Sequence, residues 1–226
     1  MNANPVLSVD PALEPLSVRA ALVVARGFPG CPPTGTPGPF LAELLARVRA
    51  AGEAWLPEAR KKDVRDLLRH GVYKPAGRAK PSSEYLVAAA LDGSFPFVNG
   101  PVDACNAASL ESGYPASVFD LALAGPALEL SRGRAGESYA FNASGQVIEL
   151  EDLLLVRAVR PDGARVPCGN PVKDSMATKV FESCREAVGV VYAPLSDPVA
   201  ALEACAARFA ELLREAGATE ASYTIV

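Results

Sequence analysis

One segment, residues 99–113 (NGPVDACNAASLESG), constrains the fold of this chain more than any other. Asn99 or Gly100 suits the N-cap of a helix, Pro101 suits its first turn, and Gly113 suits the position after its end. The body of the segment has small side chains around nearly its whole circumference. We therefore predict a helix that neighbouring elements approach closely on several sides.

The remaining pattern indicates helices in the first half and at the C-terminal end, with short strands between residues 116 and 192. Ser82 or Ser83 is expected to cap one helix, and Ser196 or Asp197 the last one. The predicted helices are 41–48, 57–70, 82–91 and 198–216, and the predicted strands are 20–25, 118–123, 127–130, 138–141, 153–159, 188–192 and 221–226.

Neither an internal repeat nor a linker divides the chain. We therefore predict one mixed α+β (α/β) domain over residues 1–226, with a central β-sheet and flanking helices. Residues 1–17 are predicted to be an extended N-terminal segment. The length of 226 residues and a hydrophobic content of 50% are sufficient for one substantial core.

The amino-acid composition excludes several classes of binding partner and cofactor for this chain. The formal net charge of −4 argues against strong non-specific nucleic-acid binding, so we expect no DNA partner, although a local basic patch can still contact RNA. Five scattered cysteines and one histidine do not match a zinc site, and reduced thiols indicate a cytoplasmic protein. No apolar run has the length of a membrane span, and no glycine-rich phosphate loop is present. We expect no metal, no cofactor and no membrane partner.

Three stretches, 70–92, 97–120 and 173–178 with the strand 188–193 after it, together resemble the B3/B4 domain proteins, which are related to the editing domain of the phenylalanyl-tRNA synthetase beta subunit. In that domain a helix with a central asparagine is followed by a Gly-x-Pro turn and a strand with Phe-Asp. The matching residues here are Asn106, Gly113–Pro115 and Phe119–Asp120.

The resemblance implies a B3/B4-like domain that acts as a trans-editing aminoacyl-tRNA deacylase, with water as the nucleophile. Its partner would be an aminoacyl-tRNA or a free amino acid. The chain has Ser117 where the synthetase has a histidine, and Cys168-Gly169-Asn170 where the synthetase has Gly-Gly-Glu. These differences favour an alternative, a non-catalytic protein that binds an amino acid or a tRNA 3′ end.

Several polar side chains are candidates for substrate binding, and each has a structural alternative. Asn106 either lines a pocket or bonds to the backbone of the next strand. The helix N-terminus at Asn99 can face an anion or only cap the helix. The 173–178 cluster can orient water or hold an aminoacyl ester, or it can be a tight turn. The predicted substrate-binding residues are Asn99, Asn106, Ser117, Lys173, Asp174 and Ser175.

Arg78 and Lys80 lie in a proline-rich basic loop and are candidate contacts to tRNA phosphates, with a solvated loop as the alternative. No catalytic residue is assigned. A cysteine or serine nucleophile usually needs a nearby base, and His70 is the only histidine.

Overall fold

The computed structural model describes residues 4–13 and 18–226. Within them, the chain forms six α-helices and ten β-strands. The helices are α1 (Pro39–Ala51), α2 (Glu58–Leu68), α3 (Ser82–Asp92), α4 (Gly100–Ser112), α5 (Leu121–Ala124) and α6 (Val199–Glu215). The strands are β1 (Val6–Val9), β2 (Val18–Arg26), β3 (Ala116–Asp120), β4 (Ala127–Arg132), β5 (Ser138–Ala140), β6 (Val147–Glu149), β7 (Leu154–Val159), β8 (Arg165–Gly169), β9 (Glu186–Pro194) and β10 (Glu220–Ile225).

The strands form two four-stranded sheets and one ribbon. The first sheet has the order β10-β2-β9-β3, with all neighbours antiparallel. The second sheet has the order β1-β4-β7-β8, in which only the β1–β4 pair is parallel. Strands β5 and β6 form a separate two-stranded antiparallel ribbon. The mixed α+β class is confirmed, with the strands divided between two sheets.

The two faces of the first sheet bury different partners. In β2, Ala21, Val23 and Ala25 join the core that contains α1, α3, α4 and α6. The alternate residues Ala20, Leu22 and Val24 pack against the second sheet. Because successive side chains of a strand point to opposite faces, the domain has three layers, helices, first sheet and second sheet.

Helix α4 has the environment that its small residues predict. Ala104, Cys105, Ala107 and Ala108 are all buried in the helix-side core. A Cβ at Gly113 would lie only 2.8 Å from Leu56 Cδ1, and Gly113 has a φ of 76°. The predicted N-cap and stop of this helix are confirmed.

Three local predictions were wrong. Pro81 and Pro198 precede α3 and α6 without a side-chain cap, so neither the predicted serines nor Asp197 has that role. Asp197 instead accepts a hydrogen bond from Tyr114 Oη at 2.5 Å. Residues 121–124 turn into α5 rather than continuing the strand, because the Asp120 carboxylate accepts from Ala122 N at 2.9 Å.

The N-terminal segment is described in part. Strand β1 pairs with β4, and a short 3-10 helix covers Pro11–Leu13. The remainder of the predicted extended segment, residues 1–3 and 14–17, lies outside the described residues. Within the described part of the chain, no helix has both the length and the apolar character needed to cross a bilayer.

A third, smaller apolar cluster lies on the outer side of the second sheet. Leu150, Leu153 and Leu155 are buried there, and Tyr139 and Ile148 of the ribbon pack against them. The ribbon is thereby attached beside the loop that follows β8, since Val172 joins the same cluster.

Candidate functional site

Five polar side chains meet at the corner where the edge strands of the two sheets come together. Strand β3 is an edge of the first sheet, and β8 is an edge of the second. We call Ser117, Tyr139, Asn170, Asp174 and Tyr192 the corner cluster. The first comes from β3, the last from β9, and the other three from the ribbon and the loop after β8.

Asp174 joins the two edges. Its Oδ2 accepts a hydrogen bond from Val118 N at 3.1 Å, and its Oδ1 accepts from Asn170 N at 3.3 Å. A Cβ at Gly169 would lie 2.3 Å from Asp174 Oδ1, so this approach requires glycine. An ionised carboxylate has about four lone-pair sites, and the backbone donors of Val118 and Asn170 occupy two of them.

The environment of Asp174 favours its neutral form. Burial raises the pKa of this carboxyl to about 7, and hydrogen bonds from Ser117, Val118 N and Asn170 N only partly oppose that rise. A carboxyl group with a pKa near neutrality exchanges protons readily at physiological pH, which is what a general acid or base requires.

The other members of the cluster are tied to one another. Ser117 Oγ lies 3.1 Å from Asn170 O and 3.0 Å from Tyr192 Oη. Tyr139 Oη donates to Lys173 O at 2.5 Å and accepts from Asn170 Nδ2 at 2.5 Å. Burial raises the pKa of both tyrosines, and the charge of Asp174 acts in the same direction, so both remain hydrogen-bond donors.

The corner cluster contains two of the predicted substrate-binding residues, Ser117 and Asp174. Lys173 and Ser175 flank Asp174 in the chain but point elsewhere. Ser175 is buried and its Oγ accepts from Ala177 N at 3.2 Å, as the cap of a short 3-10 helix. The Lys173 side chain lines a neighbouring cleft.

The other two predicted residues lie outside the cluster. Both polar atoms of Asn99 are engaged, since Oδ1 accepts from Val102 N at 3.2 Å and Nδ2 donates to Val180 O at 2.9 Å. Asn106 is half-buried on α4 and makes no hydrogen bond with the residues that the structure describes. Helix α4 packs on the helix side of the first sheet, whereas Ser117 faces the second sheet with Tyr192.

A cleft of about 590 Å³ lies between the ribbon and the loop after α2. We call it the ribbon cleft. It contains the predicted phosphate contact Arg78 together with Lys173, whereas Lys80 is exposed outside it. Its lining residues are Val72, Tyr73, Lys74, Arg78, Ala79, Gln146, Val147, Ile148, Glu149, Glu151, Leu153, Val172 and Lys173.

One loop connects the corner cluster to the ribbon cleft. Asn170 Oδ1 accepts from both Val172 N and Lys173 N at 2.8 Å, which fixes the turn. The turn directs Val172 and Lys173 into the cleft and Asp174 into the corner. A ligand in the cleft would therefore lie beside the 170–175 loop that also holds the carboxyl group.

Sequence reasoning missed Tyr139, Asn170 and Tyr192 as members of the site. Tyr139 and Tyr192 lie in apolar runs that indicate strands, and nothing in those runs signals a polar partner. The Asn170-Pro171 pair is a turn signal that could have drawn attention to Asn170.

A thiol nucleophile has no support in the geometry. Cys105 is buried, and burial raises its pKa well above the usual value. His70 is exposed just after α2, where its backbone forms an isolated antiparallel β-bridge with that of Tyr73. Among residues 4–13 and 18–226, no three His, Cys, Asp or Glu side chains are grouped as metal ligands.

The comparisons with known proteins rest on structure. No protein-family model and no curated protein matches this chain. Its structure is similar to the crystal structure of an N-terminal fragment of the phenylalanyl-tRNA synthetase beta-subunit from Pyrococcus horikoshii, with a TM-score of 0.50 and 10% sequence identity. The two folds are related. The match covers 99% of this chain and 51% of the synthetase fragment, so the chain spans about half the length of that fragment.

Proposed function

We propose that this chain is a free-standing B3/B4-like domain that hydrolyses the ester bond between an amino acid and the 3′ end of a tRNA. The observation that carries the proposal is Asp174, a carboxyl group with a pKa of about 7 beside a cleft lined by Lys173 and Arg78. The fold of the synthetase fragment and the motifs around Asn106 and Phe119–Asp120 support the same substrate class.

The proposed reaction uses water as the nucleophile. The ionised Asp174 carboxylate accepts a proton from a water molecule as the water oxygen bonds to the ester carbonyl carbon. The carbon–oxygen bond to the ribose then breaks, and the ribose oxygen takes up the proton. The products are the free amino acid and the uncharged tRNA, and no cofactor is consumed.

The ribbon cleft has properties suited to the end of such a substrate. Its volume of about 590 Å³ lies within the range of small-ligand sites. Tyr73, Val147 and Ile148 supply apolar surface, and Lys74 and Arg78 supply positive charge for phosphates.

The test is a deacylation assay with purified protein and tRNAs charged both correctly and incorrectly with several amino acids. The proposal predicts faster hydrolysis of at least one aminoacyl-tRNA than in buffer. If the protein accelerates none of them, the proposal fails.

A specific observation favours a second candidate function, binding without hydrolysis. Hydrogen bonds already connect Ser117 to Asn170 and Tyr192, and Asn170 to Tyr139, as expected of residues that stabilise the fold. A protein of this kind would bind an amino acid or a tRNA 3′ end in the cleft. A rise in melting temperature with such a ligand, without deacylation, would support this candidate.

A further inference from the structure

Two lysine side chains meet at one phenyl ring beside the corner cluster. Lys179 Nζ lies 4.0 Å from the ring centroid of Phe141, and Lys173 Nζ lies 4.9 Å from it. Phe141 directly follows β5, and its backbone N–H donates to Gln146 O at 2.8 Å across the end of the ribbon. The attraction of each ammonium group to the ring holds both charges at this end of the ribbon.

Neither ammonium group forms a salt bridge with the described residues. Within the described part of the chain, no Asp or Glu oxygen lies within 4.0 Å of Lys173 Nζ or Lys179 Nζ. Both side chains are half-buried, so water screens their mutual repulsion less than it would at a fully exposed site. Burial lowers the pKa of Lys179, and the charge of Lys173 acts in the same direction, whereas Asp174 opposes the shift. An anion close to both ammonium groups would offset this repulsion.

Glu149, an acidic residue of the ribbon cleft, lies at the other end of the ribbon from Phe141. Glu149 pairs with Ser138 at the start of the ribbon, whereas Phe141 lies opposite Gln146 at the turn. Gln146 and Glu149 are three residues apart, which corresponds to about 10 Å along a strand. Phe141 and the two lysines beside it therefore lie at the end of the ribbon away from Glu149.

We propose that Lys173, Lys179 and Phe141 form a phosphate-binding site, and that its natural ligand is a phosphodiester group of an RNA strand near its 3′ end. The inference rests on the proposed function for the identity of the strand. Lysine binds phosphate as a compact point charge, and two ammonium groups held 4.0 Å and 4.9 Å from one ring centroid suit a phosphodiester that needs no bidentate partner. A phosphate held here would bring the adjoining ribose beside the loop that carries Asp174.

The test measures binding of an uncharged, fluorescently labelled single-stranded RNA ending in CCA by anisotropy across a salt series. The variants are Lys173→Gln, Lys179→Gln and the double variant. Lys62→Gln is the matched control, because it removes one lysine charge from an exposed pair with Asp66 on α2. We expect weaker binding in the variants and a decrease of about 0.7 per lysine in the slope of log K against log salt concentration. The control should bind like the unmodified protein.

Inorganic phosphate provides a second measurement that needs no variant. In the unmodified protein, added phosphate should shift the NMR signals of the Phe141 ring and displace the labelled RNA. The proposal is overturned if the Phe141 signals do not move. It is also overturned if a folded double variant binds RNA with the affinity and salt slope of Lys62→Gln. Because the uncharged RNA has no aminoacyl ester, failure of the deacylase proposal leaves this result unchanged.

Discussion

The carboxylate of Asp174 accepts a hydrogen bond from the backbone N–H of Val118 at 3.1 Å. This contact satisfies a donor on the free edge of the first sheet with a group from the loop that follows β8, the edge strand of the second sheet. The same carboxyl group is the proposed base, so stability and chemistry depend on one side chain.

Replacement of Asp174 by Asn should change how stability depends on pH. The pKa of Asp174 is raised from 3.8 in the unfolded chain to about 7 in the folded protein, so the folded state binds more protons between these values. The contribution of this group to stability is therefore full below about pH 4 and is lost as the pH rises through 7. Relative to Asp174→Asn, the unmodified protein should lose up to about 4 kcal/mol of unfolding free energy over that range.

Urea unfolding of both proteins as a function of pH measures this difference. Titrations of other groups occur in both proteins and cancel when the two curves are subtracted. A difference that stays constant across the range would contradict the raised pKa.

Gly169→Ala should destabilise the protein and displace Asp174. The new Cβ would lie 2.3 Å from Asp174 Oδ1 and 3.2 Å from Phe119 Cε1, so one of these groups has to move. We expect a loss of about 1–3 kcal/mol, as for other over-packed sites. Gly38→Ala is the control, because nothing lies within 4 Å of a Cβ there. Thermal unfolding that is the same for both variants would contradict this account of Gly169.

Arg157→Met should be among the most damaging single substitutions. The Arg157 side chain is 2% exposed, and it donates to Ser131 Oγ, Arg132 O and both carboxylate oxygens of Glu137. Its removal leaves Glu137 without its buried partner and should cost about 3–5 kcal/mol.

Lys62→Met provides the comparison, because Lys62 also pairs with a carboxylate, Asp66, but the two side chains are 75% and 46% exposed. Its loss should have little effect on the free energy of unfolding, since water screens an exposed pair. Equal destabilisation by the two substitutions in a denaturant titration would show that burial does not govern the strength of these pairs.

The five cysteines should not react with a thiol reagent while the protein is folded. All five are free and buried. Burial raises the pKa of Cys168 and of Cys205 to about 11, which lowers the fraction of reactive thiolate at neutral pH. Native protein mixed with Ellman's reagent should show almost no absorbance change, and all five thiols should react after unfolding in guanidinium. A fast reaction of any one thiol in the native state would identify a cysteine that is accessible after all.

The helices were the most predictable part of the fold, because a periodic apolar stripe or a run of small residues indicates both a helix and which of its faces is buried. Helix α4 is an example, since its cap, its length and its burial all follow from residues 99–113. The division of strands between two sheets was not predictable, because an apolar run such as 188–192 does not specify its partners. The starts of α3 and α6 were predicted with the wrong N-cap residue. A serine or aspartate near a helix start caps the helix only when its side chain reaches a backbone N–H of the first turn, and at Pro81 and Pro198 no side chain does so.

The candidate site was predicted only where neighbours in sequence are also neighbours in space. Asp174 and Ser117 were both identified, but their meeting depends on contacts between residues more than fifty positions apart. Tyr192 could not be predicted as a partner of Ser117, since that contact exists only because β9 lies beside β3. Arg78 and Lys173 likewise come together only through the folding of the ribbon.

The most direct test of the central claim compares deacylation by the unmodified protein and by Asp174→Asn on the aminoacyl-tRNA that is hydrolysed fastest. Asp162→Asn, in an exposed turn, is the matched control. If Asp174 is the general base, its replacement should lower the rate by about 10²–10⁴-fold while the control keeps full activity. A folded Asp174→Asn protein that deacylates at the unmodified rate would contradict the account.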